Sequence, residues 1–339
     1  MTTATTPDCY GIVPADDLLH DLPNVPGWSE NLQLVVNDSS AGVAFYVHFS
    51  RMVDDPGIWE GILICYLPDG QLRVSRSFAR DAGTGSASDG QLTFRPVEPL
   101  RHWELRFDGM ARILSRAEGA AGPVTQGPVE PLQVVLDVTG TTPPWGVGSR
   151  HPGGETAEAM HGQSWARMHL EQACHVAGEL RLGGRTTLIE GMGMRDHSTG
   201  PRDYSAMRRE AWANAVFPSG RAFCGLWVEM EGAPPFTHGF VYDGGQLQSM
   251  SSFEGPPLTS ALGEPSLYTV RFTSPAGAAQ VQGQLTHSMA FTLESPCRMP
   301  LGPRATGAIP VEGPARYTWD GEQGDGWIER IYVREEDEQ

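Results

Sequence analysis

Hydrophobic and polar positions alternate with a period of two along most of this chain, the spacing of half-buried β-strands. Residues 32–36 and 42–49 read as two strands of a hairpin around the turn Asn37-Asp38-Ser39-Ser40. Residues 61–67 run into Pro68-Asp69-Gly70 and return over 71–74, and further strands are predicted over 91–94, 103–107 and 132–138. The stretch 139–163 has no periodicity and much Gly, Pro and Thr, so it is read as the boundary between two modules, 1–150 and 160–339. The second half alternates in the same way over 167–182 and, after the turn Gly183-Gly184, over 185–193, 221–230, 237–241, 267–272, 279–285, 290–293, 317–319 and 326–329. Helix signals are few, and one short helix is expected within 200–213. Trp28-Ser29-Glu30-Asn31 and Trp212-Ala213-Asn214 each precede a predicted hairpin, a faint internal echo. The expected fold class is all-β, with two antiparallel barrel or sandwich modules packed together. A barrel of about eight strands is wide enough to hold one small ligand.

Composition narrows the function. The 339 residues include 41 Gly and 27 Pro, a richness in turn-formers that suits many short strands. A net charge of −17 with no basic run argues against nucleic acid and anionic lipid surfaces as partners. All 24 basic residues are arginine, which removes Schiff-base chemistry, a pyridoxal anchor and a phosphate-loop lysine together. Cys9, Cys65, Cys174, Cys224 and Cys297 are scattered and odd in number, as expected of reduced thiols in a cytoplasmic protein. The first residues lack a signal peptide's basic start and apolar core, and no apolar run has transmembrane length, so no integral membrane association is expected. There is no Gly-x-Ser-x-Gly elbow and no dinucleotide loop. No cofactor is expected.

The most distinctive segment is Gly191-Met192-Gly193-Met194-Arg195-Asp196-His197-Ser198-Thr199-Gly200-Pro201-Arg202-Asp203-Tyr204. It is preceded by Glu171-Gln172-Ala173-Cys174-His175-Val176-Ala177-Gly178. With Trp28-Ser29-Glu30-Asn31, Phe49-Ser50-Arg51, Trp59-Glu60-Gly61 and Trp327-Ile328-Glu329-Arg330, it resembles the lipocalin-like two-barrel family. That family includes carotenoid 1,2-hydratases, kievitone-type hydratases and fungal Diels–Alderases. Thr199 stands where the better-known relatives tend to have Trp. The resemblance spans nearly the whole chain, and it implies two lipocalin-like β modules. It also implies a hydratase, dehydratase or cyclase working without cofactor on a hydrophobic, isoprenoid-like small molecule. The alternatives are a carrier for a lipid, terpenoid or steroid, and a pericyclase-like template that moves no proton.

Hydrating an unactivated alkene needs an acid able to protonate carbon, a wall that tolerates a tertiary cation and a positioned water. A carboxyl buried in an apolar pocket can stay protonated near neutral pH. Aromatic faces stabilise a cation by about 1–2 kcal/mol each when water is excluded. A carboxylate or imidazole then takes the proton from water. Asp196 is the first candidate acid, with Asp203 beside it and Glu171 and Glu30 in reserve. Arg195 and His197 would depress its pKa, but on a strand they point to the opposite face. The competing reading makes Arg195, Asp196, Arg202 and Asp203 an ion-paired clamp around a tight turn. His197 could act as base or orient one. Alternation sets Arg167, His169, Glu171 and His175 on one face, toward a barrel interior or toward water. His169 and Glu171 could chelate a metal, but His175 lies about 20 Å along the strand from His169 and no third ligand is evident, so no metal site is expected. Trp28, Trp59, Trp145, Trp165 and Trp212 could line a pocket or fill cores, and Tyr204, Arg195 and His169 are further candidate substrate contacts. Glu30 and Arg51 are read as a structural pair.

Overall fold

The computed structural model describes residues 9–51, 55–146, 149–150, 166–294, 298–305 and 307–334. Strands hold 63% of the chain and helices 3%, so the all-β expectation holds. The first sheet comprises β1 (Trp28–Asp38), β2 (Val43–Arg51), β3 (Ile58–Tyr66), β4 (Gln71–Arg80), β5 (Ala87–Ser88), β6 (Leu92–Glu98), β7 (His102–Ser115), β8 (Val129–Gly140), β9 (Trp145–Gly146), β10 (Met168–Leu182) and β11 (Arg185–Pro201). The second comprises β12 (Met207–Val216), β13 (Ala222–Met230), β14 (Phe236–Asp243), β15 (Gln246–Ser249), β16 (Ser252–Glu254), β17 (Leu267–Ser274), β18 (Gly277–Leu285), β19 (Met289–Ala290), β20 (Gly307–Trp319) and β21 (Glu322–Arg334). A short helix, α1 (Arg116–Ala121), follows β7, capped by Ser115, whose hydroxyl accepts from the Glu118 amide.

The first sheet runs β4-β3-β2-β1-β11-β10-β8-β7, and β7 pairs back onto β4, closing an eight-strand barrel. The second runs from β15 through β14, β13, β12, β21, β20, β18 and β17 to β16, without a closing ladder among the described residues. No helix among the described residues is long and apolar enough to cross a membrane.

Sheet membership changes between Pro201 and Met207, not within 139–163 where sequence places the module break. The two strands over 168–201 complete the first barrel. The helix expected over 200–213 is instead the end of β11, a connection and the start of β12. Arg208-Arg209-Glu210 between Met207 and Ala211 imitates helical spacing, but its backbone pairs with both β13 and β21.

Alternation then divides each central strand between two cores. On β1, Leu32, Leu34 and Val36 fill the first barrel, whereas Val35 faces the second sheet. On β12, Ala211, Ala213 and Ala215 fill the second module, whereas Trp212 and Val216 face the first sheet. These strands are buried on both faces, so their sequences lack the clean polar stripe of a solvent-facing strand. Hydrogen bonds stitch the layers: Asn37 Nδ2 donates to the Ala315 carbonyl (3.1 Å), and the Tyr66 hydroxyl donates to the Glu312 carbonyl (3.2 Å).

Candidate functional site between the sheets

A cleft opens where the two sheets face each other. Its space amounts to about 750 Å³ when the solvent-open mouth is included. Its enclosed part is smaller, about 100 Å³ for the centres of water-sized molecules, so a ligand of any length reaches the mouth. The first sheet contributes Gln33, Tyr46, His48, His169 and Asp196. The second contributes Glu210, Trp212, Glu312 and Glu329, and Leu226, Leu293, Met299 and Ile331 supply apolar wall. A larger groove lies on the outer side of Glu210, beside Arg209 and Trp227, but Arg209 is engaged with Glu229 there (3.8 Å) and few buried ionisable groups converge on it.

Register puts the first wall together. Glu171 on β10 pairs with Asp196 on β11, and His169 pairs with Ser198, so all four side chains share one face. Of the polar file Arg167, His169, Glu171 and His175, the middle pair turns toward the cleft, whereas Arg167 is exposed and His175 bonds Glu190 (2.6 Å) at the surface. His169 Nε2 hydrogen-bonds Asp196 Oδ2, and Glu171 Oε1 lies 4.0 Å from the same nitrogen. Burial pulls the His169 pKa down, but the charge of Asp196, their hydrogen bond and the charge of Glu171 outweigh it, and the imidazole stands above its ordinary value. Burial pushes Asp196 up, yet His169, Arg202 and His197 outweigh it and hold the carboxyl below its ordinary value. Both shifts favour the charged forms, an imidazolium beside a carboxylate. Ser198 Oγ donates to Asp196 Oδ1 (3.2 Å) and accepts from Arg202 (2.9 Å). Arg202 Nε also donates to Asn31, its amide oxygen turned toward the guanidinium (2.8 Å). Gly200 is required here, since a Cβ would come within 2.5 Å of the Ala166 Cα.

Behind this wall, Glu171 is fully buried and accepts from Trp212 Nε1 (2.7 Å) and Cys224 Sγ (3.2 Å). Burial raises its pKa, with the charge of Asp196 adding to the rise. His238 stacks on His169 with ring centres 5.0 Å apart and packs on Trp145 at 4.1 Å. Burial and the neighbouring His169 charge keep His238 neutral. His48, beside Tyr46, is pushed down to about 4, chiefly by burial.

The opposite wall is acidic. Glu312 and Glu329 are cross-strand partners on β20 and β21, and Glu329 pairs with Trp212 of β12, two residues from Glu210. Burial raises all three carboxyls, and the Glu329 charge pushes Glu210 and Glu312 further. Glu329 itself is raised to about 7, by burial and by Asp196 across the cleft.

Of the residues singled out from sequence, Asp196, His169, Trp212 and Tyr204 line the cleft, and Glu171 and Trp145 stand behind it. Arg195 and His197 point the other way, as strand alternation predicts. Arg195 sits inside the first barrel, bonded to Asp17 (2.6 Å) and Gln172 (3.0 Å) and lying 3.9 Å over Trp103. His197 bonds Glu30 (3.0 Å), which also takes His20 (2.9 Å) and Arg51 (3.0 Å), so the predicted Glu30–Arg51 pair is present. Asp203 is exposed in the link between sheets and caps a turn, accepting from the Ser205 amide (3.0 Å) and hydroxyl (2.6 Å). Trp59 packs edge-on against Phe49 inside the first barrel, and Trp28 is half-buried at the start of β1. Trp165 and Cys297 lie outside the described residues.

Sequence reasoning missed Gln33, Tyr46, His48, Glu210, Glu312 and the role of Glu329. The available signal was an acidic residue at a position where a strand is otherwise apolar, as in Val311-Glu312-Gly313 and Ile328-Glu329-Arg330.

Two triads of metal-ligating side chains occur among the described residues: His20, Glu30 and His197, and His169, Glu171 and Asp196. Asp196 is thus the third group that His169 and Glu171 lacked in the sequence. Both triads find charge balance within the protein: Glu30 against Arg51 and its histidines, Asp196 against His169 and Arg202.

Solved structures share this fold. The AttH-like protein of Nitrosomonas europaea superposes with a TM-score of 0.59 at 15% identity, over 89% of this chain and 91% of that one. Kievitone hydratase of Nectria haematococca gives 0.57 at 11% identity, over 98% and 96%. CghA, solved with Sch210972, gives 0.54 at 12% identity, over 91% and 89%. The two packed lipocalin-like β modules implied by the sequence resemblance are present, the first as a closed barrel and the second as a sheet without a closing ladder among the described residues. No curated protein matches the sequence. The match of a family model over residues 13–332 makes the chain a member of a domain family of unknown function, DUF7064.

Proposed function

We propose that the chain is a cofactor-independent acid–base enzyme, a hydratase, dehydratase or cyclase, acting on a largely hydrophobic, isoprenoid-like small molecule held between its two sheets. One observation carries this reading: across a single cleft, the carboxylate of Asp196 faces carboxyls of Glu312 and Glu329 whose pKa values are displaced in the opposite direction. Titratable groups pushed apart by their surroundings are the mark of an acid and a base working in one site. Solved proteins sharing the fold include a hydratase and a Diels–Alderase, which supports small-molecule chemistry in this architecture.

In the hydration direction, Glu329 or Glu312 gives its proton to an alkene carbon. The resulting tertiary cation rests against Tyr46 and Trp212. Water adds to it, and Asp196, held by His169, accepts the proton that water loses. This gives Asp196 the role of base, not the role of acid expected from sequence. Returning that proton to the glutamate wall through water completes the cycle. Arg195, His197 and Asp203 have no part in these steps, because none of them lines the cleft.

The test is turnover of a panel of isoprenyl-bearing alkenes in ¹⁸O-labelled water. The wild type is expected to incorporate one labelled oxygen, and Asp196→Asn to lower that rate at least about a hundredfold while the alkene still binds. An alkene that binds tightly and is recovered unchanged, neither labelled nor cyclised, would make the protein a carrier, a role the apolar wall of Leu226, Leu293 and Ile331 would also serve.

A further inference from the structure

The acidic wall is more than one proton donor requires. Three carboxyls, Glu210, Glu312 and Glu329, face the same space, and among the described residues no arginine or histidine forms an ion pair with any of them. Elsewhere buried acids are either ion-paired, as Glu30 with Arg51, Glu60 with Arg76 (2.5 Å) and Asp17 with Arg195, or held by several hydroxyl and amide donors, as Asp38 and Asp89 are. An arginine is even adjacent in sequence. Arg330, next to Glu329, turns to the opposite face and is buried on the carbonyls of Gly263 and Pro265. Glu312 is fully buried and Glu210 and Glu329 are half-buried, and leaving such carboxyls without a counter-charge is costly.

Two polar atoms at the cleft point independently to a ligand. Glu312 is 0% exposed, and its Oε1 meets no N–H donor among the described residues, its carboxyl being in contact there only with Trp327, Tyr46 and Glu329. On the opposite sheet, His48 is 6% exposed, lines the same space, and its Nδ1 has no partner. Tyr46, Tyr204 and Trp212 offer aromatic surface around the carboxyls, and Trp327 stands behind Tyr46 while donating Nε1 to Glu312 (3.3 Å). The three glutamates are not among the clusters whose ligating atoms lie within 4.8 Å of one another. Their spacing suits a larger cation than a bare metal ion, which must draw its ligands to about 2.0–2.6 Å.

We infer that this wall is the subsite for an organic cation: the ligand carries a protonated or quaternary nitrogen, seated among Glu210, Glu312 and Glu329 with Tyr46 and Trp212 at its sides. The inference rests on the cleft being the ligand site and does not require that the bound molecule be hydrated. A cation arriving there replaces protons that the glutamates hold in its absence, so binding near pH 7 releases protons. The other charged or titratable groups lining the cleft are Asp196, His169, His48, Arg202, Tyr46 and Tyr204. Attraction of a cation to desolvated carboxylates and aromatic faces would select such a ligand over a neutral one of similar shape.

Isothermal titration calorimetry with benzyltrimethylammonium and with benzyl alcohol, each in phosphate and in Tris at pH 7, tests this. The cation is expected to bind at least about tenfold tighter than the alcohol, with a heat that depends on the buffer because protons are released. Glu312→Gln and Glu329→Gln, checked by circular dichroism for native folding, should each weaken the cation about tenfold and leave the alcohol within about twofold. Glu210→Gln is a third arm should either variant fail to fold. Equal affinity for the two probes, no cation binding up to about 10 mM, or cation binding unchanged in the folded variants would overturn the inference. Cation selectivity without ¹⁸O incorporation would remove only the hydratase reading; incorporation without selectivity would remove only this one.

Discussion

Two buried clusters of acid in this molecule are built to opposite rules. Inside the first barrel, Glu30 accepts from His20 and His197 and lies 3.0 Å from Arg51. Burial opposes ionisation there, but His197, His20 and Arg51 together hold the carboxyl at about 2. In the cleft, Glu312 and Glu329 have one another and Glu210 for company, and Glu329 is raised to about 7. The first cluster is complete within the protein and ties the segment before β1 to the barrel. The second is completed by protons or by something that enters. Burial alone therefore does not mark a functional acid, and a counter-charge supplied by the protein argues against one.

The largest effect should come from breaking the complete cluster. Glu30→Gln leaves Arg51 and two histidines without their anion and should cost about 3–5 kcal/mol of stability, the usual penalty for orphaning a buried partner. Glu312→Gln should leave stability at pH 7 unchanged or higher. Urea denaturation midpoints of both variants measure the contrast, and equal losses would erase it.

Next in size is catalysis. Asp196→Asn should lower turnover at least about a hundredfold, or about 2.7 kcal/mol in barrier, with little change in binding. Rates compared with binding titrations would show a purely structural Asp196 by a fallen melting temperature and a normal rate per folded molecule.

The clusters also differ in pH dependence. Glu329 has a folded pKa raised to about 7, so the folded state holds its proton more tightly than the unfolded chain. Its favourable contribution is complete below the unfolded value and is lost as pH rises through about 7. Glu30 runs the other way: its contribution is present above the unfolded value and is lost as pH falls toward about 2. Thermal melts should therefore show stability declining between about pH 5 and 8, and Glu329→Gln should flatten that decline without altering the acid limb.

The smallest effect is expected at Asp203, exposed on its turn. Asp203→Asn should change stability by no more than about 0.5 kcal/mol and leave turnover unchanged, as melts and rates would show.

What could be read from the chain was what depends on near neighbours. The hairpin around residues 37–40, the turn at Gly183-Gly184 and the opposed directions of Arg195 and Asp196 follow from turn chemistry and a period of two, and all are present. The acidic wall is only partly local: Glu312 and Glu329 pair across the β20–β21 hairpin, but Glu210 and Trp212 join them only because β12, about a hundred residues earlier, lies beside β21. No local pattern carries that. The sheet boundary was obscured for a related reason. A glycine-rich connection signals a break, whereas the real transition follows β11, whose final residues are still paired with β1.

The strand β11 ends as two interleaved rows, Arg195 and His197 on one side, Asp196 and Ser198 on the other. A change of side chain disturbs one row at a time. Inserting or deleting a single residue just before Arg195, with the backbone ladder kept, would exchange the rows: the carboxylate of Asp196 would be driven against Trp103 and the guanidinium of Arg195 into the cleft. This segment can therefore vary by substitution far more readily than by length.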